Sequence, residues 1–271
     1  MRNNEQEIKI FSFYHKNIPA VIKDELYCPI MVGSALSSGV SNFQRDDEGE
    51  NISDRNQYYC EMTGIYWAWK NCNSDIAGTS HYRRYFTAQP EPLKYKIKRL
   101  LYYFILQHRK RRGLIYNNNP SLFIPRIINK EEIEDLLSRY DAILPHARKL
   151  RKTIKDHYYS HHNGYGLDIL EDIIRTKHPD FLDSFNSVMS SNRLYANNMF
   201  ILRNNHFQEF MEWWFDILFE FEERVKKQKA DYPKRIIGFV AERILNVWFH
   251  KKQLNCIELP IIYFKQNKIT T

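Results

Sequence analysis

The chain has 271 residues, which is enough for one or two domains with a large core, and its formal net charge is +8. Aromatic residues make up 15% of the chain, and such large apolar side chains argue against a disordered protein. The four cysteines form no CxxC pair, which excludes a zinc ribbon and a disulfide-dense secreted scaffold and favours a reducing cytoplasm. Residues 1–7 are polar and no run of 18 apolar residues occurs, so we expect neither a signal peptide nor a membrane-spanning helix.

The first third of the chain predicts strands and a helix in alternation. Alternating β-rich residues predict a strand over Ile8–Tyr14. The spacing of aromatic residues predicts a helix from Ser53 or Asp54 to about Lys70, and a short buried strand follows at residues 75–80. A helix followed by a strand that ends in a polar cluster is typical of α/β proteins, whose ligands bind at the carboxyl ends of strands.

Residues 94–113 differ from their surroundings, because a short apolar run at 100–106 lies between two groups of cations. The cations are Lys94, Lys96, Lys98 and Arg99 before the run and Arg109, Lys110, Arg111 and Arg112 after it. Three alternatives follow: an interfacial helix on an anionic membrane, a plain structural helix, or a nucleic-acid-binding segment. The apolar centre favours the membrane surface, and we treat the segment as a basic amphipathic insertion between two core pieces.

The rest of the chain predicts further α/β elements and a helical C-terminal part. The predicted elements are a helix over 130–139, a strand over 141–144, an irregular helical region over 156–190 broken at Gly164 and Gly166, a strand over 198–202, an amphipathic helix over about 206–227, and a last helix from Gly238 to about His250. No internal repeat and no second region with its own composition occurs. We therefore expect a single domain over 1–271.

The densest group of chemically active side chains is His81-Tyr82-Arg83-Arg84, directly after a predicted strand. Guanidinium groups match phosphate oxygens in a fork geometry, so this cluster suits the binding of a diphosphate. In the alternative, Arg83 and Arg84 point in opposite directions and pair with surface carboxylates. The residues alone leave both hypotheses open.

Two carboxylates, Glu61 and Glu242, lie within otherwise apolar predicted helices. Either one suits a general base that faces a cleft, because burial tunes the basicity of a carboxylate. In the alternative, each forms an ion pair with an arginine near it in the sequence, such as Arg55 or Arg243.

Other motifs give little support to metal or nucleotide sites of known type. His157 and His161 have the spacing of a metal-binding pair, but a third ligand and the HExxH pattern are missing, so surface histidines are favoured for these and for His162. GxGxxG, GxxxxGK[ST] and GxSxG do not occur, which removes the main sequence support for Rossmann, P-loop and α/β-hydrolase proteins. Asp46-Asp47 lies in a predicted loop and is not a DxD motif.

Several blocks of the chain resemble a bacterial capsular-polysaccharide glycosyltransferase family first catalogued as domain of unknown function 4422. The resemblance is collinear from about Ile8 to Ile262, and its most specific part is the helix followed by HYRRYF. The blocks are residues 51–61, 66–71 and 78–86, with weaker ones at 198–201 and 235–243.

The resemblance implies an α/β, GT-A-like nucleotide-sugar-binding fold with a helical C-terminal part. It further implies transfer of a hexose, galactofuranose or galactose, from a UDP-sugar to a growing, lipid-linked surface polysaccharide. In GT-A enzymes a DxD motif after a central strand holds a divalent metal, and here His81 to Arg84 stand at the corresponding place. We therefore expect metal-independent transfer with no required cofactor, with Mn²⁺ or Mg²⁺ as the alternative.

The donor residues follow from the resemblance and the predicted strand ends together. Tyr14 and His15, at the end of the first strand, are expected to face the nucleoside. His81, Arg83 and Arg84 are expected to neutralise the leaving diphosphate, which gains charge as the glycosidic bond breaks.

Glu242 is predicted as the base that activates the acceptor hydroxyl, and Asn198 is predicted to lie near the acceptor. The expected location is the cytoplasm, at the inner face of the bacterial plasma membrane, with residues 94–113 on anionic lipid. A noncatalytic surface-binding or assembly protein that retains the fold is the alternative. We expect no nucleic-acid partner.

Overall fold

The computed structural model describes residues 6–22, 24–37, 39, 41–106, 113–117, 119–162, 164–228 and 233–265, except the side chains of 99 and 102–106. Within these ranges, one large sheet holds most of the strands. The strands are β1 (Ile8–Tyr14), β2 (Tyr27–Met31), β3 (Gln44–Arg45), β4 (Ile76–His81), β5 (Arg84–Phe86), β6 (Leu114–Asn117), β7 (Ala142–Pro145), β8 (Arg148–Lys149), β9 (Arg193–Leu194), β10 (Ile201–Arg203), β11 (Cys256–Leu259) and β12 (Ile261–Phe264).

The helices of the described residues pack mainly against this sheet. They are α1 (Asn56–Tyr59), α2 (Met62–Asn71), α3 (Leu93–Leu106), α4 (Pro120–Phe123), α5 (Lys130–Arg139), α6 (Ile154–His161), α7 (Tyr165–Lys177), α8 (Leu182–Ser190), α9 (Asn204–Gln228) and α10 (Ile236–Lys252). Short 3₁₀ turns, such as Ser53–Arg55, join some of them.

The central strands run in the order β11-β7-β10-β4-β1-β2-β3, and β5, β6 and β12 extend the sheet from β4. Strands β1, β2, β3 and β4 are parallel, whereas β10 is antiparallel to both of its neighbours. The α/β class predicted from the sequence is confirmed. Because β1 and β4 are parallel neighbours, the residues that follow them, His15 and Tyr82, meet at the same edge of the sheet.

The alternation of side chains along β1 separates two cores. Phe11 and Phe13 belong to the larger core, which α2 and α6 to α10 complete. Ile8 and Ile10 point to the opposite face, where residues of α4, α5, β6 and β12 cover them. Both faces of the strand are therefore buried, as a central parallel strand requires.

The long C-terminal helices follow the apolar spacing of the sequence. Phe210, Trp214 and Trp248 join α9 to α10, with ring centroids 4.5 Å apart for Phe210 and Trp214 and 4.8 Å apart for Phe210 and Trp248. The helix predicted over 206–227 is confirmed as α9. The last helix begins before Gly238 and contains it, because a single glycine does not end a well-packed helix.

The helix predicted from Ser53 or Asp54 to Lys70 is not continuous. Cys60 has a φ of 53° and a ψ of −131°, which ends α1 and separates it from α2. The side-chain amide of Asn56 donates to the Cys60 carbonyl oxygen at 2.7 Å and so holds the break in place. The break puts Glu61 at the start of α2, at the edge of the sheet where β4 ends.

Within the described residues, no helix is long and apolar enough to cross a membrane. The apolar run predicted at 100–106 lies in α3, which starts at Leu93. The four cations predicted after that run, residues 109–112, lie outside the described residues.

Candidate functional site

Aromatic and basic side chains meet where β1 and β4 end. His15 follows β1, and Tyr82 and Arg83 form the turn from β4 to β5. On either side of this turn, His81 of β4 and Arg84 of β5 are register partners in the antiparallel strand pair. The rings of His15 and Tyr82 touch edge to face, with centroids 4.9 Å apart. This turn therefore brings the predicted donor residues to one edge of the sheet.

Arg83 and Arg84 stack on tyrosines. The Arg83 guanidinium carbon lies 5.0 Å from the ring centroids of both Tyr82 and Tyr263, and that of Arg84 lies 5.4 Å from Tyr263. Neither arginine forms an ion pair with a carboxylate in the part of the chain that the structure describes, so the surface-pairing alternative is not observed there. Arg83 Nε is buried and has no hydrogen-bond partner among the described residues. Two positive charges are thus held in place without a partner anion from these residues.

A further arginine, Arg235, adds to the positive field at this edge. Partial burial lowers the pKa of His15, and the charges of Lys16, Arg83 and Arg235 lower that pKa further. Arg235 has a φ of 66° at the start of α10 and its guanidinium carbon lies 5.5 Å from the Phe239 ring centroid. Sequence reasoning placed Arg235 only within a family block, because a left-handed arginine at a helix start has no local sequence signal.

The His81 side chain is held inside the protein by a backbone contact. It is buried, and its Nε2 lies 2.6 Å from the Asn197 carbonyl oxygen. Burial, followed by the charge of Arg84, lowers the pKa of His81 to about 3, so the ring is neutral near pH 7 and donates Nε2–H to that oxygen. The side chain therefore anchors the Asn197 backbone through a neutral ring, and the positive charge at this edge comes from the arginines.

Asn197 and Asn198 form a left-handed turn before β10, with φ values of 77° and 50°. Such residues cost about 1–3 kcal/mol each, and Asn tolerates this region better than most residues. The turn is held from several sides: Arg148 donates to Asn197 Oδ1 at 2.8 Å, and Thr79 Oγ1 donates to the Asn198 carbonyl oxygen at 2.8 Å. The strand predicted from residue 198 starts at Ile201 instead, because this turn is not extended.

The Asn197-Asn198 turn connects the two candidate carboxylates. Asn197 N–H donates to Glu242 Oε1 at 2.7 Å, and Asn198 Nδ2 donates to Glu61 Oε1 at 2.9 Å. Asn198 Oδ1 is buried and has no partner among the described residues. The Asn197-Asn198 turn thus donates one hydrogen bond to each carboxylate and leaves one buried amide oxygen without a donor among the described residues.

The two carboxylates differ in their ion pairing: Glu242 pairs with a buried arginine, whereas Glu61 accepts hydrogen bonds from Asn198 and its own backbone and pairs with no arginine among the described residues. Glu242 accepts from Asn197 on one oxygen and from the buried Arg243 on the other, at 3.1 Å. Burial raises the pKa of Glu61, and the charge of Glu242 acts in the same direction. Arg55 pairs with Glu222 at 2.9 Å rather than with Glu61. The ion-pair alternative thus holds for Glu242, whereas Glu61 keeps the character of a tuned acid or base.

Tyr14 does not face an open site. Its side chain is 1% exposed, and its hydroxyl lies 3.2 Å from that of Tyr85. As the last residue of β1, it has its side chain on the face opposite to Phe13, inside the protein. Tyr14 therefore supports the site from beneath through contacts with Phe43 and Tyr82, and its side chain is not exposed to a ligand in this structure.

His15 instead lines a cavity of about 300 Å³ at the ends of β1 and β2. Gly33, Ser34, Arg45 and Asn56 contribute to the walls. Gly33 has a φ of 70°, and a Cβ atom there would lie 2.7 Å from the Asn56 side chain. The turn after β2 therefore requires glycine. The cavity has polar walls and also apolar ones, from Met31, Val32 and Leu36, which suits a ligand with both polar and apolar parts.

Asp46 holds this turn in place from within the protein. Its carboxylate is fully buried and accepts the Gly33 and Ser34 N–H groups at 2.9 Å each. It also accepts the hydroxyls of Ser53 at 2.5 Å and Thr63 at 2.6 Å. The sequence placed Asp46 in a loop, and only the fold gives it these four donors.

We expect Asp46→Asn to lower the free energy of unfolding by at least about 2 kcal/mol, since each hydrogen bond to a charged acceptor is worth about 1.5–3 kcal/mol. The Asn amide turns a donor toward groups that are themselves donors. Urea denaturation measures the loss. Asp47→Asn is the matched control, because Asp47 forms a partly exposed pair with Arg45, and such surface pairs add little to stability. Equal losses for the two variants contradict the role of Asp46.

The donor set at this edge does not fit a divalent metal of the DxD type. His81 Nε2 is engaged with a carbonyl oxygen, and the charged side chains of this turn are Arg83 and Arg84, which offer no acceptor atom to a cation. In the described part of the chain, no three His, Cys, Asp or Glu side chains come together as a metal site would need. His157 and His161 stack on each other with centroids 4.3 Å apart.

Comparisons with known proteins give the family of the chain and a solved structure with a similar fold. A family model described as domain of unknown function (DUF4422) matches residues 9–253. The apo structure of the WbbM bifunctional glycosyltransferase is similar, with a TM-score of 0.82 and 26% identity, over 96% of this chain and 46% of that one. The chain thus spans about half the length of WbbM. A comparison with curated proteins gave no match. The α/β fold is close to that of a glycosyltransferase structure.

Proposed function

The chain belongs to the DUF4422 family, and from that premise we propose that it is a glycosyltransferase that moves a sugar from a nucleotide-diphosphate donor to a glycan. The observation that carries the proposal is the edge at which β1 and β4 end. There the charges of Arg83 and Arg235 act on His15, which lines a cavity, and the charge of Arg84 acts on Glu61. The similarity to WbbM, a bifunctional glycosyltransferase by its title, supports the same activity.

The donor in this proposal is a UDP-sugar, with galactofuranose or galactose as the sugar. The nucleoside occupies the cavity beside His15, and the diphosphate lies against Arg83 and Arg84. Guanidinium groups neutralise the charge that UDP gains as its bond to the anomeric carbon breaks. The two arginines supply the charge that a metal ion would otherwise provide, so transfer proceeds without a metal.

The acceptor in this proposal is a growing, lipid-linked surface polysaccharide, and it binds beside Asn198. Its hydroxyl gives a proton to a carboxylate, its oxygen bonds to the anomeric carbon, and the bond to the diphosphate oxygen breaks with its electron pair on UDP. Glu61 suits the base better than Glu242 does, because Glu242 already pairs with the buried Arg243, whereas burial raises the pKa of Glu61, which has no such ion pair among the described residues. Glu242 acts through Asn197 and positions the turn that carries Asn198.

A thermal-shift screen of UDP, UDP-galactose and UDP-galactofuranose tests the donor. A ligand that binds only the folded protein stabilises it by about 2.7 kcal/mol at a hundredfold excess over its dissociation constant. We expect stabilisation by UDP compounds and unchanged shifts in EDTA. Loss of the shift in EDTA, restored by Mn²⁺, contradicts metal independence.

Transfer of a radiolabelled sugar to a glycan acceptor then separates the two candidate functions. We expect transfer in EDTA as well as in Mn²⁺. Binding of UDP-sugars without transfer to any surface polysaccharide fragment supports the alternative, a noncatalytic binding or assembly protein that retains the fold. Absence of both binding and transfer contradicts the proposed function itself.

A further inference from the structure

Helix α3 (Leu93–Leu106) carries an exposed apolar face. Among the described residues, seven large apolar side chains are exposed, and four of them lie on this helix. They are Leu93, Ile97, Leu100 and Leu101, with exposed fractions of 70%, 48%, 43% and 53%. Because an α-helix turns about 100° per residue, these four side chains share an arc about 100° wide.

The opposite face of α3 is the one that attaches the helix to the protein. Tyr95 points away from the apolar arc and packs edge to face on Phe123 of α4, with ring centroids 4.9 Å apart. Tyr95 lies against the smaller core of the sheet. The apolar arc therefore faces away from the protein, although an ordinary surface helix turns its apolar side inward.

Lysines flank the exposed arc on both sides. From the helical spacing, Lys94 and Lys98 follow one edge of the arc and Lys96 follows the other. All three lysines are exposed, and the helix sequence contains no Asp or Glu. An apolar strip bordered by cations is the pattern of a helix that lies in a membrane interface, with its apolar side among acyl chains and its cations on headgroup phosphates.

We propose that α3 binds the surface of an anionic phospholipid bilayer, lying parallel to it with Leu93, Ile97, Leu100 and Leu101 inserted. Charge complementarity selects this partner: three exposed lysines and no carboxylate on the helix meet negative headgroups, and the net charge of +8 acts in the same direction. The helix is too short and too basic to cross the bilayer, so binding is peripheral and reversible. The inference is independent of the proposed function, since it rests on α3 alone.

Co-sedimentation of the full chain with lipid vesicles tests the proposal. One vesicle is pure phosphatidylcholine, and the other contains equal parts of phosphatidylcholine and phosphatidylglycerol. We expect binding to the anionic vesicles, little to the neutral ones, and release at about 1 M salt, where the Debye length falls to about 3 Å. Equal binding to both vesicles, or to neither, overturns the proposal.

Two sets of variants separate the charge from the apolar arc. Lys94→Glu, Lys96→Glu and Lys98→Glu together are expected to weaken vesicle partition by about 100-fold or more. Ile97→Gln with Leu101→Gln is expected to reduce binding while keeping all cations. Since every changed side chain is exposed, circular dichroism is expected to show an unchanged fold.

A matched control tests whether vesicle binding depends on the cations of α3 or only on the net charge of the protein. Lys149→Glu, Arg151→Glu and Lys152→Glu lower the formal charge by the same amount on another exposed surface. The control is expected to retain most of the vesicle binding, and an equal loss overturns the assignment to α3. If the three α3 lysines bind single-stranded RNA and the protein does not bind vesicles, this face binds nucleic acid. That result also overturns the membrane proposal.

Discussion

Replacing Glu61 with Gln is expected to lower the rate of sugar transfer by about 10²–10⁴-fold while donor affinity changes little. Gln keeps the shape and still accepts the hydrogen bond from Asn198 Nδ2, which is 2.9 Å long in the wild type. It does not accept a proton from an acceptor hydroxyl. Single-turnover kinetics with saturating donor measure the loss, and the UDP thermal shift measures binding separately.

The pH dependence of transfer gives an independent check on Glu61. Burial raises its pKa, so the carboxylate form needed for a base appears at a higher pH than for an ordinary glutamate, near 4.3. We expect the acid limb of the rate profile to lie above that value. The limb is expected to disappear in Glu61→Gln, whose residual activity no longer depends on this group.

Glu242→Gln is the matched comparison, because it makes the same chemical change in the other carboxylate that contacts the Asn197-Asn198 turn. It removes the charge that pairs with the buried Arg243, at 3.1 Å, so stability is expected to fall. Transfer by the folded fraction is expected to fall less than in Glu61→Gln, and the acid limb is expected to remain. If folded Glu242→Gln has no turnover and Glu61→Gln remains active, the two roles are exchanged. Glu242 is then the base, as the sequence predicted.

Loss of Arg83 or Arg84 is expected to weaken UDP binding by about 1.5–3 kcal/mol, which is the range for hydrogen bonds to charged groups. Both side chains lie in the described residues without a carboxylate partner, so their removal leaves no buried anion behind. Lys at either position is expected to restore only part of the affinity, since it lacks the bidentate fork. Isothermal titration with UDP measures each variant.

Arg139→Ala is the control for the arginine variants. Arg139 is 57% exposed and pairs with Asp135 within α5, away from the edge where β4 ends. Its UDP affinity is expected to match that of the unchanged protein. Unaltered affinity in folded Arg83→Ala and Arg84→Ala removes the diphosphate assignment, whatever the activity of the enzyme.

The local pattern of the sequence was enough for the elements that position the site. Period-2 alternation predicted β1, and apolar residues at helical spacing predicted α5 and α9. The break predicted at Gly164 is also present in the structure, since α6 ends at His161 and α7 begins at Tyr165. The same reasoning missed the interruption at Cys60, because the Asn56 amide that holds it has no helical period.

What the sequence by itself determined is the α/β class, a few elements such as β1, β4, α5 and α9, and the cluster from His81 to Arg84 at the end of a strand. Those features depend on neighbours within a few residues. Only the tertiary structure decided the surroundings of each group: burial makes the His81 ring neutral and the carbonyl oxygen of Asn197, 116 residues away, accepts its Nε2–H, while Asn198, 137 residues from Glu61, faces that carboxylate. Burial and partner atoms set a side chain's charge, and both come from residues that are distant in the chain.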